Sequence, residues 1–280
     1  MSKFVKFGAI AAATLITASA VSPLTATHVS ADSKDKTVTV GVVGNDDSKI
    51  WKSVAKTAKD KYGVTVKTKV FTDYNQPNKA VADGSIDLNA FQHQFFLDDW
   101  NKHNKNQVKA IGDTFITPIR LYATDYKEPK NFKKGDTIGV PNDPTNEGRS
   151  LKVLESAGLI KLKKTDLPTT KDITENKKDL KIKELSADQV AAAFKKKSVD
   201  GAVINTNYAQ EAKIKLDSAI YVEPENKDSK QWVNVIAAKK DKTDKKEYKD
   251  VVKAYQTEQT KKVMKEEFGD TQDAAWDKKF

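Results

Sequence analysis

The 280-residue chain contains no cysteine. Without a thiol it can form no disulfide bond, no thiolate metal site and no cysteine nucleophile. It also offers no cysteine at a processed N-terminus to which a lipid could be attached. Any attachment to a cell surface is therefore expected to rest on something other than a cysteine lipid anchor.

Histidine is scarce, since beyond the N-terminal segment only His93 and His103 remain. The chain also has no Gly-x-Ser-x-Gly elbow, no Gly-Lys-Ser/Thr phosphate loop and no His-Glu-x-x-His pair. We therefore predict that the protein is not an enzyme and has no catalytic residue, no cofactor and no metal site. A metal site built from oxygen ligands is the alternative that two histidines leave open.

Arginine is the third scarce residue, because only two of the 49 basic side chains are arginine. One of them, Arg149, ends the run Val-Pro-Asn-Asp-Pro-Thr-Asn-Glu-Gly-Arg at residues 140–149. Its planar fork suits a carboxylate better than lysine does. The pattern predicts a strand at 137–140, a turn at 141–146 and a helix at 147–157, so Arg149 falls where helix N–H groups attract anions. The alternative is a capped helix that carries one surface arginine.

The N-terminal segment has the features of a secretion signal. Lys3 and Lys6 precede an apolar stretch at residues 7–21, and small residues follow at 29–31. We predict that residues 1–31 form this signal. A membrane anchor is the alternative, but the apolar run is shorter than the roughly 20 residues of a bilayer span. The mature protein is expected to be exported, and extracellular or associated with the cell surface.

The net charge of the chain is +10, but its lysines alternate with acidic residues, as at 241–247. This pattern favours a solvated surface over a nucleic-acid face, and no nucleic-acid-binding motif accompanies it. Anionic cell-wall polymers are a possible partner through long-range electrostatic attraction.

Strand-like and helix-like segments alternate along the chain, which is typical of an α/β protein with largely parallel sheets. A polar stretch at residues 125–135 separates two such series. We predict two lobes, one formed by residues 32–120 plus 222–280 and the other by residues 121–221, with a ligand cleft between them. The last helix is predicted to run from about residue 244 to 268.

Aromatic side chains are concentrated at two places that follow predicted strands. They are Tyr74, Phe91 and Phe96, with His93 among them. Such a cluster either walls an apolar ligand pocket or packs in the core, and the local spacing favours neither. His93 by itself is more typical of a hydrogen-bonded structural histidine.

Two asparagines interrupt apolar segments. Asn205 follows Val203 and Ile204, and Asn234 stands within the apolar run at 232–236. A side-chain amide among buried residues must be hydrogen-bonded, either to the backbone or to a ligand.

Taken together, these motifs resemble the methionine-binding lipoprotein family (MetQ or NlpA type), the extracytoplasmic receptors of methionine uptake transporters. The resemblance covers about residues 38–268. Its most specific pieces are Phe-Thr-Asp-Tyr-Asn-Gln-Pro-Asn at 71–78, Phe-Gln-His at 91–93, the run at 140–149, and Ile-Asn-Thr-Asn-Tyr-Ala at 204–209.

The resemblance implies a two-lobed periplasmic-binding-protein type II fold that closes on an amino acid and delivers it to an ABC permease with its ATPase. It further implies roles for eight residues. Arg149 and the turn at Asn146 would hold the α-carboxylate, and Asn205 and Asn234 would bind the backbone groups of the amino acid. The thioether chain would be enclosed by Tyr74, Phe91, His93 and Phe96.

Three departures from the family pattern affect these expectations. The family is usually anchored through a lipidated cysteine, and it often has a tyrosine at the position of Phe96. Arg120 stands where the family commonly has a small residue, and it would favour a second acidic group or a different amino acid if it faced the cleft. We expect a monomer that binds methionine. The alternatives are a receptor for another amino acid or a short peptide, and a basic surface adhesin.

Overall fold

The structure is a computed structural model that describes residues 36–280. The predicted signal at residues 1–31 lies outside the described residues. In chain order the strands are β1 (Lys36–Val43), β2 (Val64–Phe71), β3 (Leu88–His93), β4 (Val108–Asp113), β5 (Phe115–Ile116), β6 (Arg120–Ala123), β7 (Thr137–Pro141), β8 (Lys161–Leu162), β9 (Ile173–Glu175), β10 (Lys181–Leu185), β11 (Gly201–Ile204), β12 (Tyr221–Val222), β13 (Asn234–Lys239) and β14 (Asp273–Ala274).

The α-helices lie between these strands and at the C-terminal end. They are α1 (Ser48–Tyr62), α2 (Pro77–Asp83), α3 (Gln94–His103), α4 (Pro144–Ser156), α5 (Ala187–Lys195), α6 (Thr206–Glu211), α7 (Lys246–Tyr255) and α8 (Glu258–Phe268). The first of them shows how the sequence sets a helix. Ile50, Trp51, Val54 and Ala58 form one buried face of α1, and Gly63 ends it with φ +67°, a conformation that glycine adopts without strain.

The strands form two five-stranded sheets within residues 36–280, in the orders β2-β1-β3-β13-β4 and β10-β7-β11-β6-β12. In the first sheet β1 is parallel to β2 and β3, whereas β13 is antiparallel to β3 and β4. In the second sheet β7 is parallel to β10 and β11, and β6 is antiparallel to β11 and β12. Each sheet is therefore parallel at one end and antiparallel at the other.

Each sheet has its own hydrophobic core. Val40, Ile236 and Tyr255 are buried between the first sheet and helices α1, α7 and α8. Leu151 of α4 is buried with Val140 and Val203 against the second sheet. Burying a side chain of this size contributes about 1.5–3 kcal/mol, so each sheet and its helices are stabilised as a unit. We call these units the first lobe and the second lobe.

The chain passes between the two sheets at two crossing segments. Residues 114–119 connect β4 to β6, and residues 223–233 connect β12 to β13. The exact lobe boundaries at residues 120–121 and 221–222 remain a prediction.

The C-terminal helix differs from the sequence prediction. The chain forms two helices, α7 and α8, because Thr257 has an extended backbone and its side chain accepts a hydrogen bond from the Thr260 N–H. Such a cap starts a new helix within a segment whose apolar spacing continues on both sides.

Candidate ligand-binding site

A cavity lies between the two lobes beside the first crossing segment. The structure brings all eight predicted site residues to its wall. They are Tyr74, Phe91, His93, Phe96, Asn146, Arg149, Asn205 and Asn234. Their roles toward a ligand remain a prediction, but their meeting at one cavity is a structural result.

The aromatic wall of the cavity comes mainly from the first lobe. The ring of Tyr74 lies 5.7 Å from Phe91 and 6.0 Å from Phe96, and Phe91 and Phe96 are 5.9 Å apart. All three rings are only partly buried. Of the two alternatives left open by the spacing, the pocket wall is the one that the geometry favours. Phe95 is different, because it packs against Trp232 and does not line this cavity.

His93 stands at the N-terminal end of α3 and is buried. Its Nδ1 accepts a hydrogen bond from the Phe96 N–H at 3.0 Å, and its Nε2 lies 3.4 Å from Asn146 Oδ1. Burial, followed by the charge of Arg149, lowers the pKa of His93 to about 3. The ring is therefore neutral at pH 7, and we assign its proton to Nε2, which donates to Asn146 across the lobes.

Asn146 is tied into a network of side chains. Its Oδ1 also accepts a hydrogen bond from Asn205 Nδ2 at 2.8 Å, and its Nδ2 donates to both carboxylate oxygens of Asp143 at 3.0 Å. Asp143 caps α4, and Pro144 occupies its first turn. The helix therefore begins at Pro144 rather than at residue 147, because an acidic cap followed by proline is a start signal. Asn146 lies in the first turn of α4 rather than in a preceding turn. Arg149 is the sixth residue of α4, so the prediction that it lies among the free N–H groups at the start of the helix is wrong.

Arg149 is held by a carboxylate of the protein itself. Its Nε donates to Glu223 Oε1 at 2.8 Å and its Nη2 to Glu223 Oε2 at 2.5 Å, while Nη2 also donates to the Thr117 carbonyl at 3.1 Å. The guanidinium lies 4.6 Å from the Trp232 ring. Arg149 therefore forms the expected pair of hydrogen bonds with a carboxylate, but that carboxylate belongs to Glu223. Within residues 36–280, Nη1 is the guanidinium nitrogen that makes no hydrogen bond.

The two predicted amides have open hydrogen-bonding capacity. Asn205 donates to Asn146, and Asn234 makes only a long contact, 3.5 Å from its Nδ2 to the Trp232 carbonyl. A further amide, Asn207, lines the cavity and accepts a 2.6 Å hydrogen bond from the Tyr74 hydroxyl. This bond joins the two lobes directly.

Two carboxylates that the sequence reasoning did not assign also line the cavity. Asp46 and Asp47 follow β1, and Gln272 lies 3.5 Å from Asp47. Burial raises the pKa of Asp47 to about 6, and burial together with the charge of Asp47 raises the pKa of Asp46. The cavity thus has carboxylates on the first lobe and an arginine on the second. In the sequence, the position of Asp46 and Asp47 directly after a predicted strand was the only indication that they could line a binding site.

Arg120 does not line the cavity. It is buried at the start of β6, where its Nη1 donates to the Pro118 carbonyl at 2.7 Å and to Thr206 Oγ1 at 3.2 Å. Thr206 does line the cavity, so Arg120 lies one side chain behind the wall.

A wider groove also reaches Arg149. It is lined by Trp232 and by several lysines, among them Lys152, Lys163 and Lys278. This groove is larger than the cavity, but Arg149 is the only one of the eight predicted residues that lines it. We therefore regard the cavity as the candidate site.

The part of the chain that the structure describes contains neither a clustered metal site nor a helix suited to span a membrane. No group of three or more histidine, cysteine or acidic side chains in residues 36–280 is placed to hold a metal ion. Over the same residues, no helix is both long enough and apolar enough to cross a membrane.

Comparison with known proteins assigns the family. The model of the NlpA lipoprotein family matches residues 38–276. D-methionine-binding lipoprotein MetQ of Escherichia coli strain K12 is 40% identical over 232 residues, which cover 81% of this chain and 84% of that protein. The substrate-binding protein of a methionine transporter from Streptococcus pneumoniae is similar in structure, with 42% identity and a TM-score of 0.80 over 86% of this chain and 96% of that one.

A nutrient-binding protein from Burkholderia cenocepacia, solved bound to methionine, is also similar. It has 40% identity and a TM-score of 0.81 over 85% of this chain and 99% of that one. These relatives confirm the predicted two-lobed binding-protein fold. They also confirm the prediction that the chain is not an enzyme, because all three are named as binding proteins, one of them as the substrate-binding protein of a methionine transporter.

The prediction of a surface protein without a cysteine lipid anchor is wrong. The matching family and the Escherichia coli relative are named lipoproteins, which implies attachment through a lipid on cysteine. The prediction rested on the missing thiol in the sequence. The amino-acid composition shows that cysteine is absent, but it does not show how lipoproteins of this family are attached to a membrane.

The match of the family model to residues 38–276, together with relatives that are about 40% identical, shows that this chain belongs to the NlpA lipoprotein family.

Proposed function

We propose that the protein is an extracytoplasmic receptor that captures methionine and delivers it to the permease and ATPase of an ABC importer. The observation that carries this proposal is the meeting of all eight predicted residues at one cavity between the lobes. The names of the relatives support the same ligand and the same kind of transporter.

The two kinds of cavity wall suit the two parts of a methionine molecule. A thioether is polarisable and packs well against aromatic rings, so Tyr74, Phe91 and Phe96 would enclose it, with the neutral ring of His93 beside them. The polar part would meet Arg149 through its Nη1 group. Asn205 and Asn234 have amide groups with capacity left for the carboxylate and the amino group.

Closure of the lobes is part of the proposal. We propose that the crossing segments at residues 114–119 and 223–233, each of which ends next to a predicted lobe boundary (120–121 and 221–222), act as the hinge. The Tyr74–Asn207 and His93–Asn146 contacts join residues of opposite lobes. They would form when the lobes close, and a ligand that fills the cavity would favour the closed state.

The oligomeric state of the protein and its adhesion to cell-wall polymers are also proposals. We propose that the protein acts as a monomer, because the eight predicted site residues meet at the cavity within a single chain, so that the site needs no residue from a second chain. Its net charge is +10 for the whole chain and, without Lys3 and Lys6 of the predicted signal, 10 − 2 = +8, which supports adhesion to anionic wall polymers. Such adhesion should weaken steeply as salt rises, whereas ligand binding inside the cavity should be much less sensitive.

Calorimetric titration tests the function. The purified protein is unfolded and refolded to remove ligand retained through purification, and is then titrated with L-methionine, D-methionine, other amino acids and methionine-containing dipeptides. Saturable binding of one methionine per chain is expected. Binding of another amino acid or of a dipeptide alone would change the ligand but keep the mechanism. If none of these compounds binds, the result would contradict the proposal and favour the surface adhesin.

A further inference from the structure

Both arginines of the chain are buried close to one glutamate. Arg149 is bound by Glu223 through two hydrogen bonds. Arg120 is only 5% exposed, and its hydrogen bonds go to uncharged oxygens, the Pro118 carbonyl and the Thr206 hydroxyl. Among the described residues 36–280, no carboxylate forms an ion pair with Arg120.

A buried cation without an ionic partner is unfavourable, because the charge loses its hydration and gains nothing equivalent. Burial lowers the pKa of Arg120, and Tyr122 and, after it, the charge of Glu223 oppose that shift only in part. Glu223 is already committed to Arg149, however. Arg120, Arg149 and Glu223 therefore form a buried cluster with one surplus positive charge.

This cluster is connected to the ligand cavity. Arg149 lines the cavity directly. Arg120 reaches it through Thr206, whose hydroxyl accepts from Arg120 and from Thr117 Oγ1 and donates to the Pro118 carbonyl. Thr117 and Thr206 both line the cavity. An anion bound beside Thr117 and Thr206 would thus face the surplus charge across a single layer of hydroxyl groups, whereas the carboxyl groups of Asp46 and Asp47 line the cavity from the first lobe.

We propose that Arg120 is a specificity-determining residue, whose buried charge is neutralised by the carboxylate of the bound ligand. This inference rests on the proposed function, because it takes an amino acid as the ligand. It narrows the ligand class to molecules that bring one free carboxylate into the cavity. Amides and esters of the same amino acid would leave the surplus charge unbalanced, and the protein should reject them.

The test compares methionine with methioninamide, which keeps the thioether chain and the amino group but lacks the negative charge. Binding is measured by calorimetry at pH 6.5, where an α-amino group with a usual pKa of about 8 is protonated. The variants are Arg120→Met and Arg120→Gln, which remove the charge, and Arg120→Lys, which keeps it. Circular dichroism and thermal melts show whether each variant is folded.

In the wild type, methionine should bind at least about tenfold more tightly than methioninamide. Removing the charge should weaken methionine binding by about tenfold while methioninamide changes less than about threefold, and Arg120→Lys should retain most of the preference. If the charge-removing variants bind both ligands equally more weakly, the role of Arg120 is structural and the proposal is overturned. An unchanged preference for methionine over methioninamide in these variants would also overturn it.

Equal affinity of the wild type for the two ligands would overturn the inference even if the charge-removing variants did not fold. A wild-type preference for methionine is also expected from Arg149, so it supports the role of Arg120 only together with the loss of that preference in Arg120→Met or Arg120→Gln. Failure of the proposed function is distinguishable, since the wild type would then bind neither methionine nor methioninamide. If the wild type binds methionine and Arg120→Gln keeps the same preference for methionine over methioninamide, only the proposed role of Arg120 is contradicted.

Discussion

Arg149 and Glu223 are 74 positions apart in the sequence and form two hydrogen bonds in the interior, with side chains that are 4% and 13% exposed. The pair joins helix α4 of the second lobe to the second crossing segment. Through the Thr117 carbonyl and the Ile119 N–H it also contacts the first crossing segment. The arginine at the cavity is therefore fixed by both connections between the lobes.

Replacing Arg149 by alanine should weaken methionine binding by roughly 2–5 kcal/mol, because the buried carboxylate of the bound methionine would lose its charged partner. Calorimetry measures the loss. Lys152→Ala, on the same helix but outside the cavity, is the matched control and should bind normally. Wild-type affinity in Arg149→Ala would remove this residue from the ligand site.

Replacing Glu223 by alanine should destabilise the protein by about 3–5 kcal/mol, since it leaves a buried arginine unpaired. Urea unfolding measures the free energy. The double variant with Arg149→Ala should lose less than the sum of the two single variants, because the two residues act as one unit. Glu225→Ala, two residues away and in an exposed pair with Lys278, should cost less than about 1 kcal/mol. Additive losses would contradict the pairing.

Asp47 should make the protein less stable as the pH rises. Because its pKa is raised from 3.8 to about 6 in the folded state, the folded chain binds more protons than the unfolded chain between these values. The contribution of Asp47 to the free energy of unfolding therefore falls between pH 4 and 6, by at most about 3 kcal/mol. Asp47→Asn should reduce that decrease, whereas the exposed Asp241→Asn should not. Equal pH dependence of stability in Asp47→Asn and the wild type would contradict the shift.

Removing the Tyr74 hydroxyl should loosen the closed form. Tyr74→Phe keeps the ring in the aromatic wall but loses the 2.6 Å hydrogen bond to Asn207 across the lobes. We expect methionine affinity to fall by about 0.5–1.5 kcal/mol, mainly through faster dissociation, which stopped-flow fluorescence measures. Tyr62→Phe is the control, because Tyr62 does not line the cavity. Unchanged dissociation in Tyr74→Phe would mean that the bond does not hold the lobes together.

Much of the site could be predicted from the sequence, because its residues lie in short motifs with unusual composition. Arg149 was conspicuous as one of two arginines, and Asn205 and Asn234 as amides among apolar residues. Glu223 could not be found in this way, since it is one of 39 acidic residues and only the fold brings it to Arg149. The break between α7 and α8 was missed because Thr257 interrupts the backbone without changing the apolar spacing.

The position of β13 has a consequence for folding. This strand lies between β3 and β4 in the first sheet, although more than a hundred residues separate it from both in the chain. Before residues 234–239 are available, β3 and β4 have no partner between them, and the sheet cannot be completed. Contacts so distant in sequence form slowly. The first lobe must therefore fold late, after nearly the whole chain has been made.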